Sequence, residues 1–149
     1  MKKLTLIITA VALLAGTGVN AADNQNKKER RAERVERETV KDIDARVRDI
    51  NKLDNREAAK LAGLRAVSHE TGVPVPRLEE QLKNHPNAGI AGLLVANDIG
   101  VHSKKDSGEV FKGHKGGKSW SELAKEHSYD LSATDAKLNR VEAAMREAR

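Results

Sequence analysis

The sequence predicts an all-α protein in which a long charged N-terminal helix precedes a compact bundle of short helices. Two observations support this fold class. Apolar residues recur at spacings of three and four along several segments, which places them on one face of a helix. No segment alternates β-branched and polar residues for long enough to form a half-buried strand. The helix pairs repeat loosely, as weak helix-turn-helix-like units.

The first residues have the three parts of a secretory signal peptide. Met1-Lys2-Lys3 is a basic start, the run from Leu4 to Ala15 is apolar, and Val19-Asn20-Ala21 offers small residues for cleavage. The apolar run is too short to span a membrane as a helix. We therefore expect residues 1–21 to be removed. The mature protein would be periplasmic or extracellular, with no membrane span after signal cleavage.

Composition limits how the remaining chain is stabilised and what it binds. The chain has 149 residues, a formal net charge of +5 and no cysteine, so no disulfide can support the fold. Removing residues 1–21 takes away two lysines and no acidic residue, which leaves a charge of +3. That charge permits weak binding to anionic surfaces without requiring it. We expect two parts in the mature chain, a charged and partly disordered helix over 22–54 and a compact helical domain over 55–149.

The N-terminal helix carries a narrow apolar stripe behind a highly charged segment. Val40, Ile43, Val47 and Ile50 follow one another at spacings of three, four and three. Two heptads are fewer than a coiled coil needs. The favoured interpretation is that the stripe packs on the protein's own domain. The alternative is a homodimer through residues 35–50.

One segment of the compact domain is apolar on nearly all sides. Residues 88–99 therefore predict the central helix of the core, because a helix without a polar face is usually buried. Gly89 and Gly92 would let neighbouring elements approach its backbone closely. Farther along the chain, we expect a short helix holding Val110 and Phe111, followed by a loop from Gly113 to Lys118.

Cap signals predict where the other helices begin and end. Gly72 suits the left-handed residue that ends a helix, and Ser119 with Glu122 has the spacing of a capping box. Val73-Pro74-Val75-Pro76 should then start the next helix. Further helix starts are expected at Asn55, at Asn87, at Asp106, and at Ser132 with Asp135.

The residues from Val67 to Leu82 also have the order of a DNA-reading helix pair, namely helix, tight turn and helix. The second helix of the pair carries Glu79 and Glu80, which would repel phosphates. Export would in addition separate the protein from DNA. We therefore expect a structural helix pair and no nucleic-acid partner.

The segment from Gly117 to Ala124 fits the pattern G-x-x-W-x-x-[IL]-A. Together with the turn Thr71-Gly72-Val73-Pro74, it resembles a group of uncharacterised secreted bacterial proteins built of short helices. The resemblance covers about residues 65–130. It implies an extracytoplasmic, helical and non-enzymatic protein, and it carries over no functional residue.

A basic glycine-rich segment, 112–119, lies just before the only tryptophan. It nearly matches a phosphate-binding loop, but Lys112 stands where the first glycine is needed and no buried strand precedes it. Nucleotide binding is therefore not expected. A weaker prediction remains, that lysines and backbone N–H groups at a helix start hold one anion. Its candidate residues are Lys112, His114, Lys115, Lys118 and Ser119.

Other chemistries find little support in the residue pattern. The five histidines are never four residues apart, and no cysteine could complete a metal site. No nucleophile stands near a base at a useful spacing. We therefore expect no metal, no cofactor and no catalytic residue.

The three aromatic residues, Phe111, Trp120 and Tyr129, are each nine positions apart. The favoured interpretation makes them structural anchors, one for each helix pair. The alternative is a shallow aromatic patch that contacts a peptide or a glycan.

These observations together predict a non-catalytic secreted or periplasmic helical protein. Its role would be that of an interaction or structural module of the cell envelope, with a protein or an envelope polymer as partner. The alternative is a basic anion-binding module that contacts phosphate-bearing polymers or lipid headgroups through loop 112–119. An envelope enzyme is the least favoured interpretation.

Overall fold

The computed structural model describes residues 27–28, 30 and 43–148. The signal peptide predicted at 1–21 lies outside these residues, as does most of the charged helix predicted up to residue 42. Residues 43–148 belong to one compact unit. They contain helices and no strand, which confirms the predicted all-α class. The elements are α1 over 43–51, a 3₁₀ turn at Lys52–Asn55, α2 at Glu57–Thr71, α3 at Val75–Asn84, a 3₁₀ turn at Pro86–Ala88, α4 at Gly89–Ser103, α5 at Ser107–Lys115, α6 at Trp120–Glu126 and α7 at Ser132–Glu147.

Helix α4 is the centre of the bundle. Every residue from Gly89 to Gly100 is buried, and α2, α3, α5, α6 and α7 all pack against it. The predicted core helix over 88–99 is therefore confirmed. No helix in the described part of the chain is both long and apolar enough to cross a membrane.

Glycines allow the helices to approach one another closely. A Cβ atom on Gly92 would lie 2.7 Å from Cζ2 of Trp120, and one on Gly63 would lie 2.8 Å from Cγ2 of Ile90. Any side chain at these positions would displace its neighbour. The close approach predicted at Gly92 is confirmed, and it places the Trp120 ring directly on the core helix.

Helix α1 completes the same core. Ile43, Val47 and Ile50 are at most 2% exposed. The apolar stripe therefore packs on the protein's own helices along the described part of α1. A homodimer through 35–50 stays a prediction, and in the described part it would have to use the other side chains of α1.

Asn51, at the end of α1, binds the start of α4. Its amide donates to the Ala88 carbonyl at 2.8 Å, and its side-chain oxygen accepts the Ala91 N–H at 2.9 Å. The cap predicted at Asn87 is wrong, because Asn87 lies in the preceding 3₁₀ turn. Gly89 has a φ of +64°, and a side chain there would overlap that of Asn51.

Caps that involve near neighbours in sequence form as predicted. Gly72 adopts a φ of 73° and ends α2, and its N–H donates to the Ser68 carbonyl at 2.8 Å. The Asp106 carboxylate accepts the Gly108 N–H at 3.1 Å and caps α5. Ser119 and Glu122 form the reciprocal capping box of α6.

Besides the cap at Asn87, two predicted caps are wrong. Asn55 lies in a 3₁₀ turn, and α2 begins only at Glu57. Ser132 does begin α7, but its hydroxyl does not cap with Asp135. The Asp130 carboxylate instead accepts the Ser132 N–H at 2.9 Å and its hydroxyl at 2.8 Å. Two competing carboxylates near one serine cannot be ranked by spacing alone.

Helix α5 is longer than predicted, which shortens the basic loop to residues 116–119. The expected break at Gly113 does not occur, and the helix continues to Lys115. Gly113 instead makes room for α6, since a Cβ there would lie 2.5 Å from a methyl group of Leu123. Lys112, His114 and Lys115 are consequently helical residues.

Candidate binding groove

Five side chains were predicted to hold an anion, and they differ in whether they already have a partner within the protein. Lys112 and Lys115 are exposed on α5. In the part of the chain that the structure describes, neither makes an ion pair. The other three, His114, Lys118 and Ser119, have internal partners.

His114 lies flat against Trp120. The ring centroids are 3.9 Å apart and the planes differ by 19°. Its Nδ1 lies 3.0 Å from the Lys118 carbonyl oxygen. A carbonyl oxygen only accepts, so Nδ1 carries a proton. The histidine thus covers the tryptophan, which is only 3% exposed.

The start of α6 is already occupied by the chain's own carboxylate. The Trp120 N–H donates to Asp44 Oδ1 at 2.8 Å, and the Ser121 hydroxyl donates to Asp44 Oδ2 at 2.5 Å. An external anion at this helix start would have to displace Asp44. No local pattern indicates this contact, because Asp44 lies 76 positions before Trp120.

Ser119 and Lys118 are also engaged. The Ser119 N–H donates to Glu122 at 2.8 Å, and the Ser119 hydroxyl accepts the Glu122 N–H at 3.2 Å. The hydrogen bond from the Ser119 N–H to the Glu122 carboxylate is the main reason why the pKa of Glu122 is lowered. The Lys118 ammonium donates to Glu126, which lowers the pKa of that carboxyl group. Lys118 therefore brings a charge that is largely compensated.

A groove opens between the end of α3 and α5. We call it the α3–α5 groove, and its volume is about 410 Å³. It has no carboxylate in its lining. The lining residues are Asn84, His85, Pro86, Asn87, Ala88, Phe111, His114 and Lys115.

His85 forms one wall of the α3–α5 groove. Its ring stacks on Phe111 with the centroids 4.6 Å apart and the planes 8° apart. Burial lowers the pKa of His85, and the positive charge of Lys115 lowers it further. The ring is therefore mostly neutral at pH 7. Sequence reasoning treated His85 only as a residue at a helix end, because its stacking partner lies 26 positions away.

The amides beside His85 are unengaged. In the described residues, the side chains of Asn84 and Asn87 make no hydrogen bond, and that of Lys115 makes neither a hydrogen bond nor an ion pair. This contrasts with the core, where the Asn97 amide donates to Gln81 at 2.9 Å and to the Leu93 carbonyl at 2.8 Å. Asn84, Asn87 and Lys115 are exposed, so their polar groups are open to solvent at the groove.

A second groove adjoins the first. We call it the α1–α6 groove, and its volume is about 590 Å³. It shares Asn87 and His114 with the α3–α5 groove, so the two grooves adjoin. Its other lining residues are Asp44, Val47, Arg48, Asn51, Gly117, Lys118, Ser119, Trp120 and Glu122.

The three aromatic residues do not form an exposed patch. Phe111 and Trp120 are 2% and 3% exposed, and each is covered by a stacked histidine. Tyr129 is partly buried, and its ring is tilted by 59° against that of His102. Burial of the phenol raises the pKa of Tyr129.

A buried carboxylate that sequence reasoning missed holds Tyr129 in place. Asp98 of the core helix is 6% exposed and accepts the Tyr129 hydroxyl at 3.3 Å. It also accepts Thr134 at 3.1 Å and Lys137 at 2.7 Å. This network ties the start of α7 to α4 and satisfies a charge that would otherwise be costly to bury. An acidic residue inside an apolar run was the available signal.

Comparisons with known proteins find no match, so the function is inferred from the geometry of the grooves. The chain matches no protein-family model, no curated protein and no solved structure. The described residues also hold no group of three histidine or acidic side chains that could bind a metal ion.

Proposed function

We propose that this protein is a non-catalytic interaction module of the cell envelope, and that it binds its partner in the adjoining α3–α5 and α1–α6 grooves. The observation that carries this proposal is the set of unengaged polar side chains around the α3–α5 groove. Asn84, Asn87 and Lys115 all reach the groove without an internal partner in the described residues. Convergent polar groups in a concavity are typical of binding sites.

Polar side chains in the interior differ from these donors because they are hydrogen-bonded to one another. The partly buried Gln81 amide donates to Asn97 at 3.2 Å and to Ser107 at 3.1 Å, and the buried Asp98 has three partners. The buried polar side chains Asn97 and Asp98 are thus bonded within the described interior, where His127 Nδ1 is the buried side-chain atom left without a partner. Donors left open at one face are available to another molecule.

The envelope location rests on the signal peptide predicted over residues 1–21. Fractionation of cells that express the full chain tests it, with the mass of the product read at the same time. Export predicts a product that lacks about the first 21 residues in the periplasm or the medium. A full-length product in the cytoplasm would contradict this part of the proposal.

Capture from the envelope fraction of the source cells tests the groove. The expressed chain, Lys115→Glu and the control Lys125→Glu are compared after cross-linking. Lys125 is exposed, lies outside both grooves and gives the same change in charge. A partner retained by wild type and Lys125→Glu but lost by Lys115→Glu supports the proposal. Equal capture by all three proteins would refute the groove as the binding face.

A second candidate is the anion-binding module predicted from 112–119. The observation that favours it is the exposure of Lys112 and Lys115 without ion-pair partners in the described residues. Binding to anionic liposomes at low salt tests it, because surface electrostatic attraction is strongest there. Absence of binding under these conditions would exclude lipid headgroups as the ligand of this second candidate.

A further inference from the structure

We propose that the α3–α5 groove binds a phosphate group of an extended polyanion, and that binding takes up a proton at His85. This inference rests on the proposed function, since it assigns a ligand class to the same face. It moves the anion site away from the start of α6, where Asp44 already occupies the backbone donors.

The charge of the lining favours an anion. Lys115 is the charged residue of the α3–α5 groove, and no carboxylate lines it. Asn84 and Asn87 add neutral amide donors. A phosphate oxygen accepts charge-assisted hydrogen bonds from an ammonium group and ordinary ones from amides. A cationic ligand would meet only Lys115 and find no counter-charge.

His85 supplies the proton coupling. His85 lies flat on Phe111 and His114 lies flat on Trp120, so both rings are held in fixed planes. Lys115 faces His85 from α5 and disfavours its protonation, as does burial. A phosphate beside Lys115 compensates that charge. Protonation of His85 then becomes favourable and adds an N–H donor for the same phosphate.

Charged groups near His114 do not cancel this effect. In the adjoining α1–α6 groove, Arg48 and Lys118 are positive and Asp44 and Glu122 are negative. Both carboxylates are engaged at the start of α6. These carboxylates line the α1–α6 groove, and no carboxylate lines the α3–α5 groove beside His85.

The shape of the site favours a polymer over a membrane surface. The donors line a concavity, which a chain of phosphate groups can enter and a flat bilayer cannot. The α3–α5 groove adjoins the α1–α6 groove, whose lining includes Arg48. A second phosphate of the same chain would fit there.

Titration calorimetry of the full chain with polyphosphate tests the site. We expect Lys115→Gln to weaken binding by about tenfold, as expected for loss of one charge-assisted hydrogen bond. Lys125→Gln is the matched control and should bind like wild type. Lys115 is exposed, so its substitution leaves the core intact. Equal affinity of both variants would overturn the site.

The pH dependence tests the proton uptake. Affinity of the wild type should rise between about pH 8 and about pH 6, and binding should take up protons from the buffer. His85→Gln should lose most of this rise, and circular dichroism shows whether it stays folded. If His85→Gln does not fold, the binding enthalpy of wild type is measured in two buffers of different ionisation enthalpy. The difference between the two enthalpies gives the number of protons taken up on binding. Binding without proton uptake would refute the coupling.

Two comparison ligands separate this inference from others. Inorganic phosphate should bind more weakly than polyphosphate, and equal molar affinity for both would refute the polymer. Vesicles with anionic lipid should not compete with polyphosphate, and competition would favour a membrane surface instead. If polyphosphate does not bind but envelope capture still depends on Lys115, this inference fails while the proposed function stands.

Discussion

Replacement of Trp120 by alanine is the most direct test of how the bundle is closed. Trp120 is 3% exposed, with His114 stacked on it and Gly92 of the core helix directly against its ring. Burial of an aromatic side chain of this size removes about 150–250 Å² from water. At about 25 cal/mol per Å², this area corresponds to roughly 4–6 kcal/mol.

The loss expected for Trp120→Ala is smaller than that full value. Alanine retains part of the buried surface, and the unfolded chain already hides some of it. We therefore expect the free energy of unfolding to fall by about 3–5 kcal/mol. Urea unfolding followed by far-ultraviolet circular dichroism measures it, because the variant lacks the only tryptophan and fluorescence cannot be compared.

Two further variants make that measurement decisive. Val101→Ala is the control, since Val101 is 69% exposed and its loss should stay within about 0.5 kcal/mol. Trp120→Phe keeps a ring against His114 and should cost less than Trp120→Ala, about 1–2 kcal/mol. A loss below about 1 kcal/mol for Trp120→Ala would show that the ring does not close the core.

Three other substitutions give further predictions. Gly92→Ala places a methyl group against Trp120 and should destabilise the protein by about 1–3 kcal/mol in thermal unfolding. Asp44→Ala leaves the Trp120 N–H without its acceptor and should cost about 1–3 kcal/mol, measured by urea unfolding. Glu70→Gln tests a pH effect. The pKa of Glu70 is lowered below its ordinary 4.5, mainly by its hydrogen bond from Arg140. A lowered pKa stabilises the fold above the unfolded pKa, and this contribution is lost as the pH falls through the folded pKa. Wild type should therefore be slightly more stable than Glu70→Gln at pH 7, and the gap should close below about pH 4.

Each of these predictions has a control that separates the contact from a general effect. Asp49→Ala removes only a surface ion pair with Lys52 and should leave the urea unfolding midpoint unchanged. Gly92→Ala should cost less in a Trp120→Phe background, where the six-membered ring of the indole is gone, and strict additivity would argue against the contact. Glu70→Gln made in an Arg140→Gln background should lose this gap, because Arg140 is the main cause of the lowered pKa of Glu70, and a gap that persists there would remove the assignment to this pair.

Local patterns in the sequence predicted local structure well. The Ser119–Glu122 box, the Asp106 cap and the Gly72 helix end all form, and in each case the partner lies within four residues. Caps were predicted wrongly where another residue competed. Asn87 does not cap α4, because Asn51 takes that role. The side-chain oxygen of Asn51 accepts the N–H of Ala91, which lies 40 positions later in the chain.

The candidate groove could be predicted only in part. Lys115 and His114 were candidates because they lie in a basic segment next to the tryptophan. His85, Asn84 and Asn87 were not, since nothing in their own segment indicates that α5 packs against it. The burial of Phe111 beneath His85 follows from that packing, and it determines which side chains face the groove.

The sequence alone determined the helical class, the core helix and the caps that act over one turn. Hydrophobic periodicity and short-range hydrogen bonding act over three to four residues, so these features can be read from neighbouring positions. The tertiary structure decided which carboxylate occupies the start of α6 and which histidine covers each aromatic ring. These choices depend on how whole helices pack, and glycines such as Gly92 and Gly113 set how closely they do so. The segment around Trp120 is therefore closed by Asp44 and His114, and the open donors lie beside His85.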